Sequence, residues 1–202
     1  LKQMLHARRK KKTKKDGQVQ MGMNLEKMLK NRKLAAKEKL AAVGTDKPQC
    51  FTNPRTKHGD ELVMLAHKKA REVIRSIAPQ VKVGLTLSLH DIQPLPGGEK
   101  KAERIWEEEF LHYLPLIQED DFLGVQNYTR TLVGRQGELG VPQGAKTTQM
   151  QYEFYPEALG NVLRRVAKEF PKELLVTENG IAIEDDEDRC EFIRRALASV
   201  EQ

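Results

Sequence analysis

An α/β fold of parallel strands with flanking helices, part of a (β/α)8 TIM barrel, is predicted by three features of the sequence. From Asp60 onward, segments of helical period alternate with short apolar runs in the order α-β-α-β-α-β-α. Such alternation means parallel strands joined by right-handed crossovers. Each apolar run also stops at a polar cluster: Ser88-Leu-His-Asp91, Gln126-Asn-Tyr-Thr129 and Thr177-Glu-Asn-Gly180. Polar side chains delivered by several parallel strands to one rim are how a barrel builds its active face. Finally, 202 residues fall short of the ~250 typical of a complete barrel. A part of one is expected.

Taken in order, residues 1–59 read as a basic helical and loop segment. Lys2 to Asp16 is polar without an apolar face; Asn24 then reads as an N-cap. Leu25, Met28, Leu29, Ala36, Leu40 and Val43 follow at helical spacing, with Gly44 as the stop. Thr45 to Gly59, with Pro48 and Pro54, reads as loop. Residues 60–202 form the barrel part. A helix capped by Asp60 is expected to bury Val63, Ala66, Ala70, Val73, Ile74 and Ile77, and Pro79 lies just beyond it. His67 on that helix reads as structural. In Val81 to Leu89 apolar odd positions alternate with Gly84, Thr86 and Ser88, the pattern of a strand with helices on one side and a crowded interior on the other.

Pro94 to Gly98 reads as loop, and Glu99 to Tyr113 as a helix with Ala102, Ile105, Trp106, Phe110 and Tyr113 inward. Trp106 is thus assigned to the helix–sheet core. A second buried strand covers Phe122–Asn127, and Gly134 to Gly144 reads as loop. Pro156 suits a first helical turn, ahead of a stripe of Leu159, Val162, Leu163, Val166 and Phe170. The third strand is Leu174–Thr177. Asp186 is expected to cap a last helix that buries Phe192, Ile193, Ala196 and Val200. Without further strands such a sheet has two bare edges, and Thr86 and Ser88 are uncovered.

Composition narrows the function. Residues 1–50 hold fifteen Lys or Arg against four acids, and the rest hold twenty against twenty-five, a net −5. The excess concentrates in Arg8 to Lys12 and Lys14-Lys15. Such a run can neutralise phosphates, so a basic nucleic-acid-binding module is one reading. No aromatic residue occurs before Phe51 to stack a base, which disfavours nucleic acid as a partner. No stretch approaches the ~18 consecutive apolar residues of a membrane span. Cys50 and Cys190 form neither a CxxC nor a metal-ligand spacing, so the default is a reduced, cytoplasmic protein.

Glu178 carries the chemistry. A carboxylate at the C-terminal tip of a buried parallel strand stands where barrel enzymes keep catalytic groups; a lone acid there could equally cap the following helix. Thr177-Glu178-Asn179-Gly180, followed by Ile181-Ala182 and the acidic run Glu184 to Asp188, resembles the nucleophile segment of glycoside hydrolase family 1, the β-glucosidase and phospho-β-glycosidase family. Phe122-Leu-Gly-Val-Gln-Asn-Tyr-Thr129 resembles the family's sixth strand, which leads into Asn-Tyr-Tyr-Thr, with Gln126 and Asn127 replacing the first Asn and Tyr. Tyr152-Glu-Phe-Tyr-Pro-Glu-Ala-Leu159 is similar to the family's Trp-Glu-Ile-Tyr-Pro-Glu-Gly-Leu. Val83 to Leu89 is similar to its fifth strand, and Leu65-Ala-His-Lys to the start of the helix after strand four.

The resemblance implies a retaining β-glycosidase acting on β-glucosides or phospho-β-glucosides, by double displacement and with no metal or organic cofactor. It implies Glu178 as nucleophile and Tyr128 as the residue that hydrogen-bonds and positions it, with Gln126 beside them at the site. His90 and Asp91 point to the same rim, either as substrate contacts or as a loop pair bonding the backbone. The family's acid/base is the Glu of an Asn-Glu dipeptide after strand four, and this sequence contains no Asn-Glu. Order alone puts that residue before Leu1, and makes residues 1–59 an insertion after strand four. The chain by itself is therefore expected to be inactive, and a catalytically inactive truncated barrel is the second reading. The sequence leaves the oligomeric state open.

Overall fold

The computed structural model describes residues 19–20, 23–24, 32–46 and 56–202, which fall into two units, Leu1–Asn53 and Pro54–Gln202. In the first, strands β1 (Val19–Gln20) and β2 (Met23–Asn24) pair antiparallel, and helix α1 spans Arg32–Val43. Asn24 stands in that ladder opposite Val19, and the helix it is expected to cap begins outside the described residues. Leu40 and Val43 of the expected stripe are exposed. Leu25, Met28, Leu29, the basic run Arg8 to Lys15 and Cys50 lie outside the described residues.

The second unit is built on strands β3 (Gly84–Ser88), β5 (Phe122–Asn127) and β8 (Glu173–Asn179), parallel and hydrogen-bonded in the order β3-β5-β8. The order along the sheet follows the sequence, as the alternation requires. On the covered face Leu123 and Val125 are buried with Trp106 of helix α3 (Glu99–Glu109) and its C-cap Phe110, and with Val162 and Val166 of helix α5 (Ala158–Glu169). Trp106 is core, and Arg165 lies 4.3 Å over its ring. On the opposite face Thr86 and Ser88 are exposed. Small residues keep that face tight: a Cβ on Gly124 would lie 2.3 Å from Thr86 Oγ1 and 3.0 Å from Thr177 Cγ2.

Each of the first two strands breaks for two residues and then resumes. β4 (Asp91–Pro94) pairs in parallel with β6 (Arg130–Gly134), which pairs antiparallel with β7 (Gly137–Glu138). The sequence reading assigned loops at Pro94 and from Gly134 onward. Equal two-residue breaks keep the continuations side by side, Asp91 opposite Arg130, and this matched spacing forms the second sheet despite weak strand patterning. After α3 the chain makes a 3-10 turn, Leu111–Tyr113, and a short helix α4, Leu114–Ile117.

Helix α2 (Lys57–Ile77) departs most from its expected role. Its N-cap is Thr56, whose Oγ1 accepts from Gly59 N at 3.0 Å. Asp60 instead accepts from Tyr113 Oη at 2.7 Å and lies 2.9 Å from His112 Nε2. The buried face holds Met64 and Arg71, whereas Val63, Val73, Ile74 and Ile77 are exposed. The cause is Asp120, fully buried just ahead of β5. Its carboxylate accepts from Arg71 Nη1, lies 2.9 Å from His67 Nε2, and accepts from Leu85 N at 3.1 Å. A buried carboxylate must be paired, and that pairing turns the Arg71 side of the helix inward. This network lies at the N-terminal ends of the strands, the face that serves barrel stability.

The last helix, α6 (Asp186–Val200), is capped by Asp185, one residue earlier than expected, through bonds from Glu187 N and Asp188 N. It buries Phe192, Ala196 and Ser199 and leaves Ile193 and Val200 exposed. Gly160 of α5 fixes the crossing, since a Cβ there would lie 2.0 Å from the Ser199 carbonyl oxygen. That contact turns the Ser199 side inward. Pro156 precedes α5 rather than opening it.

Candidate active site at the rim of the sheet

The C-terminal ends of the principal strands carry Ser88, Gln126 and Glu178 as register partners across the sheet. Glu178 reaches this row through an irregularity. Val125 pairs with Val176, but the next residue, Gln126, pairs with Glu178, so Thr177 is an extra residue in the ladder. Strand side chains alternate faces, and one inserted residue reverses the alternation. In a regular ladder Thr177 would pair with Gln126, and Glu178 would stand opposite Asn127 and face the helices.

With the bulge, Glu178 meets two donors from one strand end. Gln126 Nε2 donates to Oε1 at 2.9 Å, and Tyr128 Oη donates to Oε2. The structure thus brings together Glu178, Tyr128 and Gln126, the three residues singled out in the sequence. One donor on each oxygen fixes the plane of the carboxylate, while Glu178 stays exposed on its remaining side.

A residue that sequence reasoning missed holds this rim in place. Asn127, fully buried, donates from Nδ2 to Leu89 O at 2.9 Å and to Thr129 O at 3.2 Å, and its carbonyl accepts from Asn179 Nδ2 at 2.8 Å. It therefore ties the ends of β3, β5 and β8 together at the level of Glu178. Leu123, Val125 and Asn127 share the covered face, and a polar side chain in that series has to be hydrogen-bonded. That alternation was the available signal.

His90 and Asp91 separate. His90 Nδ1 lies 3.1 Å from Glu109 Oε1 and its backbone N donates to Glu109 Oε2 at 3.2 Å. This bond raises the His90 pKa above its ordinary value, against the effect of burial. Asp91 turns inward and accepts from Gln93 at 2.6 Å and Asn161 at 2.8 Å. Burial is the main influence that pushes its pKa up. Asp91, next to the rim of β3 in sequence, and Glu109, bonded to His90, are thus engaged elsewhere.

The Tyr152 to Leu159 segment anchors beside Tyr128. Glu153 holds Arg130 with two bonds, at 2.7 and 2.9 Å, its carbonyl accepts from Thr129 Oγ1 at 2.9 Å, and Arg130 lies 3.9 Å over the Tyr155 ring. Tyr152 itself is half-buried. Among the described residues no helix is long and apolar enough to cross a membrane.

No family model matches the chain. It is 26% identical over 165 residues to the β-galactosidase of Saccharolobus solfataricus, covering 65% of this chain and 34% of that protein. Among solved structures, β-glycosidase BGL167 superposes with a TM-score of 0.73 at 35% identity, over 84% of this chain and 40% of its own. The apo structure of β-glucosidase 1317 gives 0.72 at 34% identity, over 86% and 43%. The family 1 β-glucosidase of Thermotoga maritima, at 18% identity and a TM-score of 0.60, shares the fold. The chain spans about a third of the curated relative's length and about two fifths of the two solved structures. A parallel sheet in sequence order, joined to these likenesses, means that the chain belongs to glycoside hydrolase family 1 and carries a part of its (β/α)8 barrel.

Proposed function

We propose that this chain supplies the nucleophile side of a retaining β-glycosidase site, with Glu178 as the nucleophile and Tyr128 and Gln126 as the residues that position it. The observation that carries this reading is the two-donor hold on Glu178 at the C-terminal rim. A carboxylate oxygen attacks the anomeric carbon, the bond to the leaving oxygen breaks with its electron pair on that oxygen, and a glycosyl ester of Glu178 results. A held carboxylate presents its free lone pair in one direction, and such positioning supplies much of the rate. The protein that contains this site acts on β-glucosides or phospho-β-glucosides.

The leaving alkoxide of a natural β-glucoside needs a proton from a second carboxyl about 5–5.5 Å from the nucleophile. Glu109 and Asp91 are committed to His90 and to Gln93 with Asn161. Hydrolysis of natural β-glucosides by this chain alone is accordingly negligible. A dinitrophenyl 2-deoxy-2-fluoro-β-glucoside removes that requirement, because its leaving group departs unprotonated, while the fluorine slows breakdown of the ester. Prolonged incubation should place one fluoroglucosyl group on the peptide carrying Glu178, read by mass spectrometry, and Glu178→Gln should remain unlabelled. Labelling of another residue, or equal labelling of Glu178→Gln, removes Glu178 from the mechanism.

A further inference from the structure

Glu178 reaches the open face through the surplus residue Thr177, and a surplus residue has to be held in the ladder. Val176 pairs with Val125 on one side of the irregularity, and Glu178 with Gln126 on the other. β8 has a ladder on one side only among the described residues, so no second strand there opposes a slip of its end by one position. Such a slip moves every residue after Thr177 forward by about 3.3 Å along the sheet. It sets Glu178 opposite Asn127 and turns it toward the helices. It also withdraws Asn179 Nδ2 from Asn127 O, its acceptor at 2.8 Å. Preventing it takes a fixed point beyond the strand.

A hairpin supplies that point. Thr147 bridges Glu153 antiparallel, and Thr148 N donates to Tyr152 O at 2.9 Å, so Gln149, Met150 and Gln151 form the connection. Gln151 N donates to Thr148 O at 2.9 Å, and Gln151 has a φ of 61°. A type I turn followed by a left-handed residue is the common three-residue hairpin, and glycine is the ordinary occupant of its last position. Gln151 is the only residue other than glycine with positive φ among the described residues. A strained backbone of this kind persists where its surroundings over-determine it. The base of the hairpin is held on two sides: Glu153 O accepts from Thr129 Oγ1 at 2.9 Å, and the Phe154 ring meets Phe192 of α6 edge-on at 5.5 Å. Its tip reaches the chain beyond β8. Gln149 N donates to Ala182 O at 2.8 Å, and Gln149 Nε2 donates to Glu184 Oε1 at 3.2 Å.

We infer that Gln149 is a positioning residue for Glu178, which keeps β8 in its bulged register from outside the sheet. An Ala182 carbonyl carried forward by one residue leaves the reach of Gln149 N, so the slipped register and this bond exclude each other. The Gln126 and Tyr128 donors fix the plane of the carboxylate once it faces them; Gln149 keeps it facing them. The role rests on the proposed nucleophile, and two readouts keep the two apart. Backbone nuclear Overhauser contacts of Gln126 give the register, and the rate of fluoroglucosyl labelling gives the chemistry. Gln149→Pro removes both bonds. It should shift the Gln126 contacts from Glu178 to Thr177 and slow labelling by roughly 5-fold or more, a change of the size one hydrogen bond contributes. Gln149→Glu, at an exposed position, sets a carboxylate against that of Glu184 and should act in the same direction, with Glu184→Gln restoring both readouts. This variant decides the outcome where circular dichroism shows the proline variant unfolded.

A chain lacking Thr177 has no surplus residue to hold. There neither Gln149 substitution should change the register or the labelling, a silence that general damage to the hairpin would not produce. Unchanged Gln126 contacts in both Gln149 variants overturn the inference. So does an equal slowing of labelling with and without Thr177. A shifted register in a chain that is never labelled, the wild type included, keeps the role of Gln149 and defeats the nucleophile reading. Labelling of Glu178 at the wild-type rate in both variants, with the register unchanged, does the reverse.

Discussion

Arg71→Met is the substitution whose cost the structure fixes most tightly. Arg71 and Asp120 are 3% and 1% exposed and bonded to each other. Methionine fills the aliphatic volume of arginine but leaves the Asp120 carboxylate with His67 and the Leu85 N–H as its only partners among the described residues. Breaking a buried ion pair by removing one member costs about 3–5 kcal/mol, chiefly through the charge left behind. Glu119, the second carboxylate that Arg71 holds, is 72% exposed and returns to solvent. With a urea slope of about 2 kcal/mol per molar, the unfolding midpoint should fall by roughly 2 M. The second half of the test is Arg71→Met with Asp120→Asn. The asparagine carries no charge, yet its carbonyl oxygen still accepts from Leu85 N, so the pair of changes should cost only about 1 kcal/mol. Recovery by the second substitution is the signature of an orphaned charge. A single variant within 1 kcal/mol of wild type, or a double variant at least as unstable as the single, would refute the assignment of this network as the determinant of the α2 orientation.

The sheet was legible because period two survives in its strands. Leu85, Leu87 and Leu89 alternate with Gly84, Thr86 and Ser88, and the structure keeps the apolar set inward. Helix α5 was legible for the same reason, since Leu159, Val162, Val166 and Phe170 are all buried. Helix α2 was not. Its apolar stripe is real, but a stripe shows which face avoids water only when something covers it, and Asp120 fixes the facing through charge instead. The motif around Glu178 could be read, whereas its facing could not. Strict alternation from Leu174, which packs on the core, puts Glu178 on the core face too, and only the extra residue Thr177 reverses this. A bulge changes the pairing count between two strands and has no marker within either one.

Three further outcomes follow from close contacts and charge. Gly160→Ala should cost about 1–3 kcal/mol through overpacking, because its Cβ meets the Ser199 backbone oxygen at 2.0 Å; a melt unchanged from wild type would show that the helices separate freely. For His90, the bond to Glu109 raises the pKa, so its contribution to stability is complete below the ordinary value of 6.5 and is lost as pH rises through the higher folded value. An NMR titration should show His90 above that ordinary value and shifted down in Glu109→Gln; an unchanged titration would exclude Glu109 as the cause. The last outcome concerns deletion of Thr177. Removing it places the glutamate directly after Val176, so in a regular ladder it still pairs with Gln126 and keeps the open face. The carboxylate therefore stays beside its donors Gln126 and Tyr128, and fluoroglucosyl labelling should persist while the β3–β5 pairing, read by amide exchange, is unchanged. Loss of labelling in the deletion variant would show that the local geometry of the bulge, beyond the facing it sets, aims the nucleophile.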